Sequence, residues 1–257
     1  YNSDYFSGCM DDFRLYNKNL TPDEVKHLYN RQLSGGNLAL HLPLTENTNN
    51  NLKDKSIYKH VTTNHGVESG DIGPVGGSIT FNPIGVISFD GTDDNITIPY
   101  DSSLDVSSTG GVSVSVWVYV INYTSDFRCI FGAYNNKSGN VSSYRLMINT
   151  SGKPYFLAPS NEALSNEVLD LNKWYHIVGT ANGSTRKIYV NGFLKDTDTT
   201  NVALNGLDTA TDSIRIGTNN NTGDMFFGSL SDFRIYNQAL TAEQVKDIYF
   251  NQTILGT

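Results

Sequence analysis

Residues 111–120 read GVSVSVWVYV. Val112, Val114, Val116, Val118 and Val120 alternate with Ser113, Ser115, Trp117 and Tyr119. A period of two puts the β-branched residues on one face of a strand and Trp117 on the other. Working outward, similar runs predict strands at 38–44, 85–89, 95–99, 127–131, 144–148 and 155–157. Further strands are expected at 174–180, 186–190, 213–216 and 226–236. Asn182-Gly183 suits a type I′ hairpin turn, and a second turn closes at Asn191-Gly192. About ten or more short strands joined by Asn/Gly-rich turns predict an all-β two-sheet sandwich. Both Trp117 and Trp174 are expected in its core.

Helical signals gather in a segment that occurs twice. DYFSGCMDDFRLYNKNLTPDEVKHLYNRQ (4–32) aligns without a gap on DMFFGSLSDFRIYNQALTAEQVKDIYFNQ (224–252). Each copy ends in a short helix: Thr21, Pro22 and Glu24 form one start signal, Thr241 and Gln244 the other. The spacing of the copies is that of a whole domain rather than of a solenoid turn. The expected organisation is therefore three pieces. Residues 1–33 are the closing strand and helix of a preceding, truncated module, 34–36 are a linker, and 37–257 are a complete module.

A 257-residue chain with 38% hydrophobic content is ample for one large core. The net charge of −8 argues against a nucleic-acid partner, for which a basic stripe is expected. No apolar run approaches the roughly 18 residues of a membrane span, so membrane insertion is not expected. Cys9 and Cys129 have no matching partners in the repeat and read as buried free thiols rather than a disulfide.

Four ordered segments carry a family resemblance: GVISFDGTDDNITIP (85–99), GVSVSVWVYV, NKWYHIVGTANGSTRKIYVNG (172–192) and GSLSDFRIYNQALTAEQV (228–245). Together they resemble the laminin-G-like, concanavalin A-like jelly-roll modules, over nearly all of residues 37–251. The resemblance implies the jelly-roll sandwich with a short C-terminal helix. It narrows function less, since this fold hosts lectins, adhesion modules, structural spacers and glycanases.

Glycoside hydrolysis needs two carboxylates flanking one bond, typically about 5–9 Å apart. The Glu-X-Asp-X-Glu strand of the related glucanases is missing, and Glu46, Glu68, Glu162, Glu167 and Glu243 are isolated from one another. Asp90, Asp93 and Asp94 sit on a turn that matches a structural motif of the family. No nucleophilic triad order is evident, and His60 and His65 read as scattered surface residues. Catalysis is therefore not expected.

The resemblance also implies a structural calcium ion joining an acidic residue on the last strand to loops near the module's start. Asp232 matches the terminal-strand position, Asp12 its counterpart in the front copy, and Asp54 the early acidic residue. Hard cations want such clustered oxygens. The alternative for Asp232 is an ordinary pairing with Arg234 or with a backbone amide. Sugar contacts would come from loop aromatics and amides, with Tyr123, Tyr134, Asn135, Asn136 and Tyr155 as candidates. The expected function is a non-catalytic recognition or adhesion module, binding glycan or protein on a cell or particle surface within a tandem array. The alternative is a structural module of a large surface assembly, such as a virion coat, fibre or adhesin stalk. Its partners would then be neighbouring modules.

Overall fold

The protein is seen here as a computed structural model. It describes residues 38–42, 54, 56, 58–65, 68–69, 85–106, 110–123, 128–135, 141–159, 161–200, 204, 207, 213–219 and 224–254. These belong to one unit, Gly36–Thr257. The expected front module fragment, with Asp12 and Cys9, lies outside the described residues, as do Asn136 and Glu46.

In chain order the strands are β1 (Leu38–Leu42), β2 (Thr63–His65), β3 (Glu68–Ser69), β4 (Ile87–Asp90), β5 (Asn95–Pro99), β6 (Val112–Val120), β7 (Arg128–Asn135) and β8 (Val141–Ile148). There follow β9 (Pro154–Leu157), β10 (Glu162–Leu164), β11 (Trp174–Ala181), β12 (Arg186–Val190), β13 (Phe193–Asp198), β14 (Ser213–Ile216) and β15 (Phe227–Tyr236), and the helix α1 (Ala242–Ile254) closes the series. All pair antiparallel in two sheets. The eight-stranded sheet runs β13-β12-β11-β6-β15-β4-β3, with β1 also on β15. The seven-stranded sheet runs β10-β9-β8-β7-β14-β5-β2.

The valines of β6 explain how the sheets meet. All five are fully buried in the core between the layers. Facing them are Phe131, Tyr144, Leu146 and Phe156 from the seven-stranded sheet, also buried there. At Gly179 on β11 a Cβ would lie 2.2 Å from the Phe156 ring, so only glycine leaves Phe156 its place between the layers.

The other side of β6 is the outer face of its sheet, and it is buried too. Trp117 stacks on Tyr249 of α1 at 5.7 Å and lies 5.2 Å from the His176 ring. Trp117 is thus core, but of a separate small cluster under the helix, with Trp174 partly buried beside it. The helix starts as its sequence predicts. Thr241 N–H donates to Gln244 Oε1 at 2.9 Å, and Gln244 N–H donates to Thr241 Oγ1 at 3.2 Å, a reciprocal capping box.

Two expectations need correction. The type I′ turn is Asn191-Gly192, where both residues have positive φ (51° and 80°) between paired Val190 and Phe193. At Asn182-Gly183 only the glycine does, because Ala181 pairs with Arg186 and the loop is four residues long. The Asn182 side-chain oxygen accepts instead from Ser184 N and Thr185 N. Secondly, β2, β3, β10 and β13 were not predicted. They are two to six residues long and lie at or next to sheet margins, and β13 (FLKDTD) buries none of its residues. β13 forms through its ladder with β12, without burying an apolar face.

Candidate functional site

Asp54 and Asp232, far apart in sequence, come together on His41 of β1. His41 N–H donates to Asp54 Oδ1 at 3.0 Å, while its ring Nε2–H donates to Asp232 Oδ1 at 2.8 Å. Asp232 is aimed there by a bulge. The pairing of β15 with β6 slips between Ser231 and Arg234, and Asp232 takes φ +49° within the slip. Arg234 completes its shell with Nε at 3.0 Å and an Nη2 ion pair at 2.8 Å, so the Arg234 pairing expected from sequence is present. Burial pushes the Asp232 carboxyl up, but Arg234 and His41 outweigh it and hold it at about 2.

Asp54 is only 5% exposed. Besides His41 N–H, it accepts from Ser56 N (2.7 Å), Ser56 Oγ (2.7 Å), His60 N (2.9 Å) and His60 Nδ1 (2.6 Å). Burial opposes the charge, yet the bonds from His60, His41 and Ser56 keep this carboxyl well below the ordinary range. A calcium ion bridging Asp54 and Asp232 would have to displace an imidazole, a guanidinium and backbone amides. The donors around both residues suit anions already satisfied, not ligands awaiting a cation.

His60 is not a surface residue, contrary to the expectation: its side chain is 4% exposed. Its Nε2 reaches Ser103 Oγ at 2.8 Å, so Asp54, His60 and Ser103 stand in a line that resembles a nucleophilic triad. Ser103 Oγ also lies 2.6 Å from Asp101 Oδ1, so a carboxylate competes with the imidazole for the serine proton. The line ties a loop near the module's start to the turn at Ser102–Leu104.

Among the described residues, three carboxylates gather within 4.8 Å only at Asp90, Asp93 and Asp94. Asp94 Oδ2 accepts from Asp90 N at 2.8 Å and Asp90 Oδ1 from Thr92 N at 2.7 Å, so these groups hold the turn together.

The sugar-contact candidates are dispersed. Tyr123 is half-buried against the core, and its hydroxyl donates to Leu169 O at 2.6 Å. Tyr155 is buried, with its hydroxyl on Met147 Sδ at 3.1 Å, in a small apolar cluster with Cys129 on the outside of the seven-stranded sheet. Burial raises the pKa of both phenols. Tyr134 and Asn135 occupy the end of β7, opposite Ser142 and Val141 of β8. Cys129 is a buried free thiol, as expected.

What the sequence reading passed over is a row across that same outer face. Thr63, Thr97, Arg215, Gly132, Arg145, Leu157 and Glu162 are successive register partners from β2 to β10. Their neighbours Ile98, Ile214, Ala133, Leu146 and Phe156 point into the core, so this row points out. No local motif marks it, because each residue comes from a different strand.

A family model described as the concanavalin A-like lectin/glucanases superfamily matches residues 90–246, more than half the chain. The chain belongs to that superfamily. As a concanavalin A-like domain it has the fold of the botulinum neurotoxin type G receptor-binding domain (22% identity, TM-score 0.60). That match covers 84% of this chain and 51% of the toxin domain. The botulinum neurotoxin serotype D binding domain is similar at 20% identity and TM-score 0.59, with 84% and 52% covered. Trypanosoma rangeli sialidase, in a complex with the inhibitor DANA, matches at 14% and 0.60, with 85% and 33% covered. The chain thus spans about half the length of the toxin domains it matches. A search of curated proteins gives no match.

Proposed function

We propose that this concanavalin A-like domain is a non-catalytic recognition module that binds glycan or protein on a cell or particle surface. The observation that carries the reading is the row on the seven-stranded sheet: two arginines and two threonines face outward beside Leu157 and Tyr155. Such a mix of charged, hydrogen-bonding and apolar groups suits recognition. The similar toxin structures are named as a receptor-binding domain and a binding domain, which fits a binding role for this fold. Against catalysis stand the isolated glutamates, the turn-holding aspartates and the Asp101 carboxylate that competes with His60 for the Ser103 proton.

We further propose that His41 does the joining expected of calcium, linking the module's early acidic residue to its closing strand. The full chain on a glycan array, with and without chelator, tests both ideas. Binding that survives chelator, with an unchanged melting temperature, is expected. A chelator-induced drop in melting temperature that Asp232→Ala abolishes would restore the calcium bridge. An empty array together with self-association would favour the structural-module alternative.

A further inference from the structure

We propose that Arg145 and Arg215 form a site for an anionic group, a carboxylate or sulfate carried on a glycan. The site lies on the outer face of the seven-stranded sheet, and the choice of carrier rests on the recognition reading above. Both arginines are register partners of one residue, Gly132 of β7. Residues directly opposite on antiparallel strands share a face. The arginines therefore flank a position without a side chain, with their Cα atoms about 10 Å apart across two strand spacings. That gap suits a small anion held between two guanidinium forks, a geometry arginine favours for planar oxyanions.

The second observation is a lack of internal partners. Arg145 Nε, Arg215 Nε and Arg215 Nη1 are shielded from solvent and make no hydrogen bond among the described residues. Buried donors are nearly always paired, and two like charges in one row, two strands apart, repel. The other arginines among the described residues each hold an acceptor. Arg128 Nη1 donates to Met225 O at 2.7 Å, Arg234 holds Asp232, and Arg186 donates to Ala158 O and Thr200 O. In a chain of net charge −8 a carboxylate partner would have been easy to supply. Cationic side chains on either side of Gly132, with no acceptor among the described residues for these nitrogens, fit an acceptor that arrives from outside. Thr97 and Leu157 at the ends of this short row offer a hydroxyl and an apolar wall for the attached sugar.

The test uses the full chain. Inorganic sulfate, against chloride at equal ionic strength, should raise the melting temperature of the wild type more than that of Arg145→Gln or Arg215→Gln, which keep only the general stabilisation by an excluded anion. Both variants should melt near the wild-type temperature in chloride, which separates lost binding from lost folding. By calorimetry, a sialylated or a sulfated lactose should bind at least tenfold more tightly than lactose, and each variant should lose at least tenfold. Which anionic sugar binds distinguishes carboxylate from sulfate. Equal sulfate stabilisation of wild type and variants would overturn the site. Equal binding of lactose and its anionic forms would also overturn it, while leaving the recognition reading standing. A larger sulfate effect in wild type than in the variants, with no sugar bound, would remove the glycan as carrier.

Discussion

On the outer face of the eight-stranded sheet, Trp117 stacks on Tyr249 of the closing helix, and His176 lies buried beside them. On the outer face of the seven-stranded sheet, Arg145 and Arg215 stand either side of Gly132 with guanidinium nitrogens that bond to nothing among the described residues. Both faces sit on the same kind of antiparallel ladder and back onto the same core. The first uses its side chains to hold the chain's own helix, and burial of apolar area is what it gains. The second keeps charged donors at a cost in desolvation, which is sensible only where something outside supplies the acceptor. On the proposed reading, stability and recognition lie on opposite sides of one sandwich.

That division can be broken most sharply at Trp117. Trp117→Ala should lower the unfolding free energy by about 3–5 kcal/mol, measured by urea denaturation, because the indole leaves a cavity under the helix. A loss under 1 kcal/mol would show that the helix does not depend on this stack.

His176 gives the next largest effect, and it depends on pH. Burial holds its pKa down at about 3, and only its Nε2 has a partner, Ser115 Oγ at 2.9 Å. The unfolded chain takes up this proton near pH 6.5 and the folded chain does not. Stability contributed by neutral His176 is therefore complete above pH 6.5 and lost as pH falls toward 3, by about 1.4 kcal/mol per unit. His176→Gln should flatten the stability curve between pH 6.5 and 4. The depressed carboxyls of Asp54 and Asp232 act lower, since their contribution begins to fade only below about pH 4. A slope in His176→Gln as steep as in wild type would contradict this.

Smaller still, Thr241→Ala should cost about 1 kcal/mol by removing half of the capping box. At the bottom of the scale, Arg145→Gln and Arg215→Gln should change stability by no more than about 0.5 kcal/mol, since Arg145 Nε, Arg215 Nε and Arg215 Nη1 make no hydrogen bond among the described residues. A loss above 2 kcal/mol from either would place the arginines on the structural side of the comparison.

Much of this molecule could be read before it was folded. The Val-X repeat of residues 112–120, the opposite placement of Trp117 and the Thr241/Gln244 helix start all depend on neighbours within a few positions. So they appear in the structure as the sequence implies. The site was less legible. Asp54 and Asp232 could be singled out as residues that belong together, through the family resemblance, but His41, which joins them, carried no signal. His60 looked exposed because a polar stretch hides the burial that only packing creates. Arg145 and Arg215 meet across β7 through register, a relation between strands distant in sequence.

The sequence alone determined the two-sheet class, the strand faces and the closing helix, because side-chain alternation and capping are local chemistry. Only the tertiary structure decided that a bulge at Asp232 turns its carboxylate toward His41. Only it decided, too, that one outer face packs Trp117 and His176 under the helix while the other lines up two arginines whose shielded nitrogens find no acceptor among the described residues. Strand order, register and burial are set by the whole core at once, and no short stretch of residues contains them.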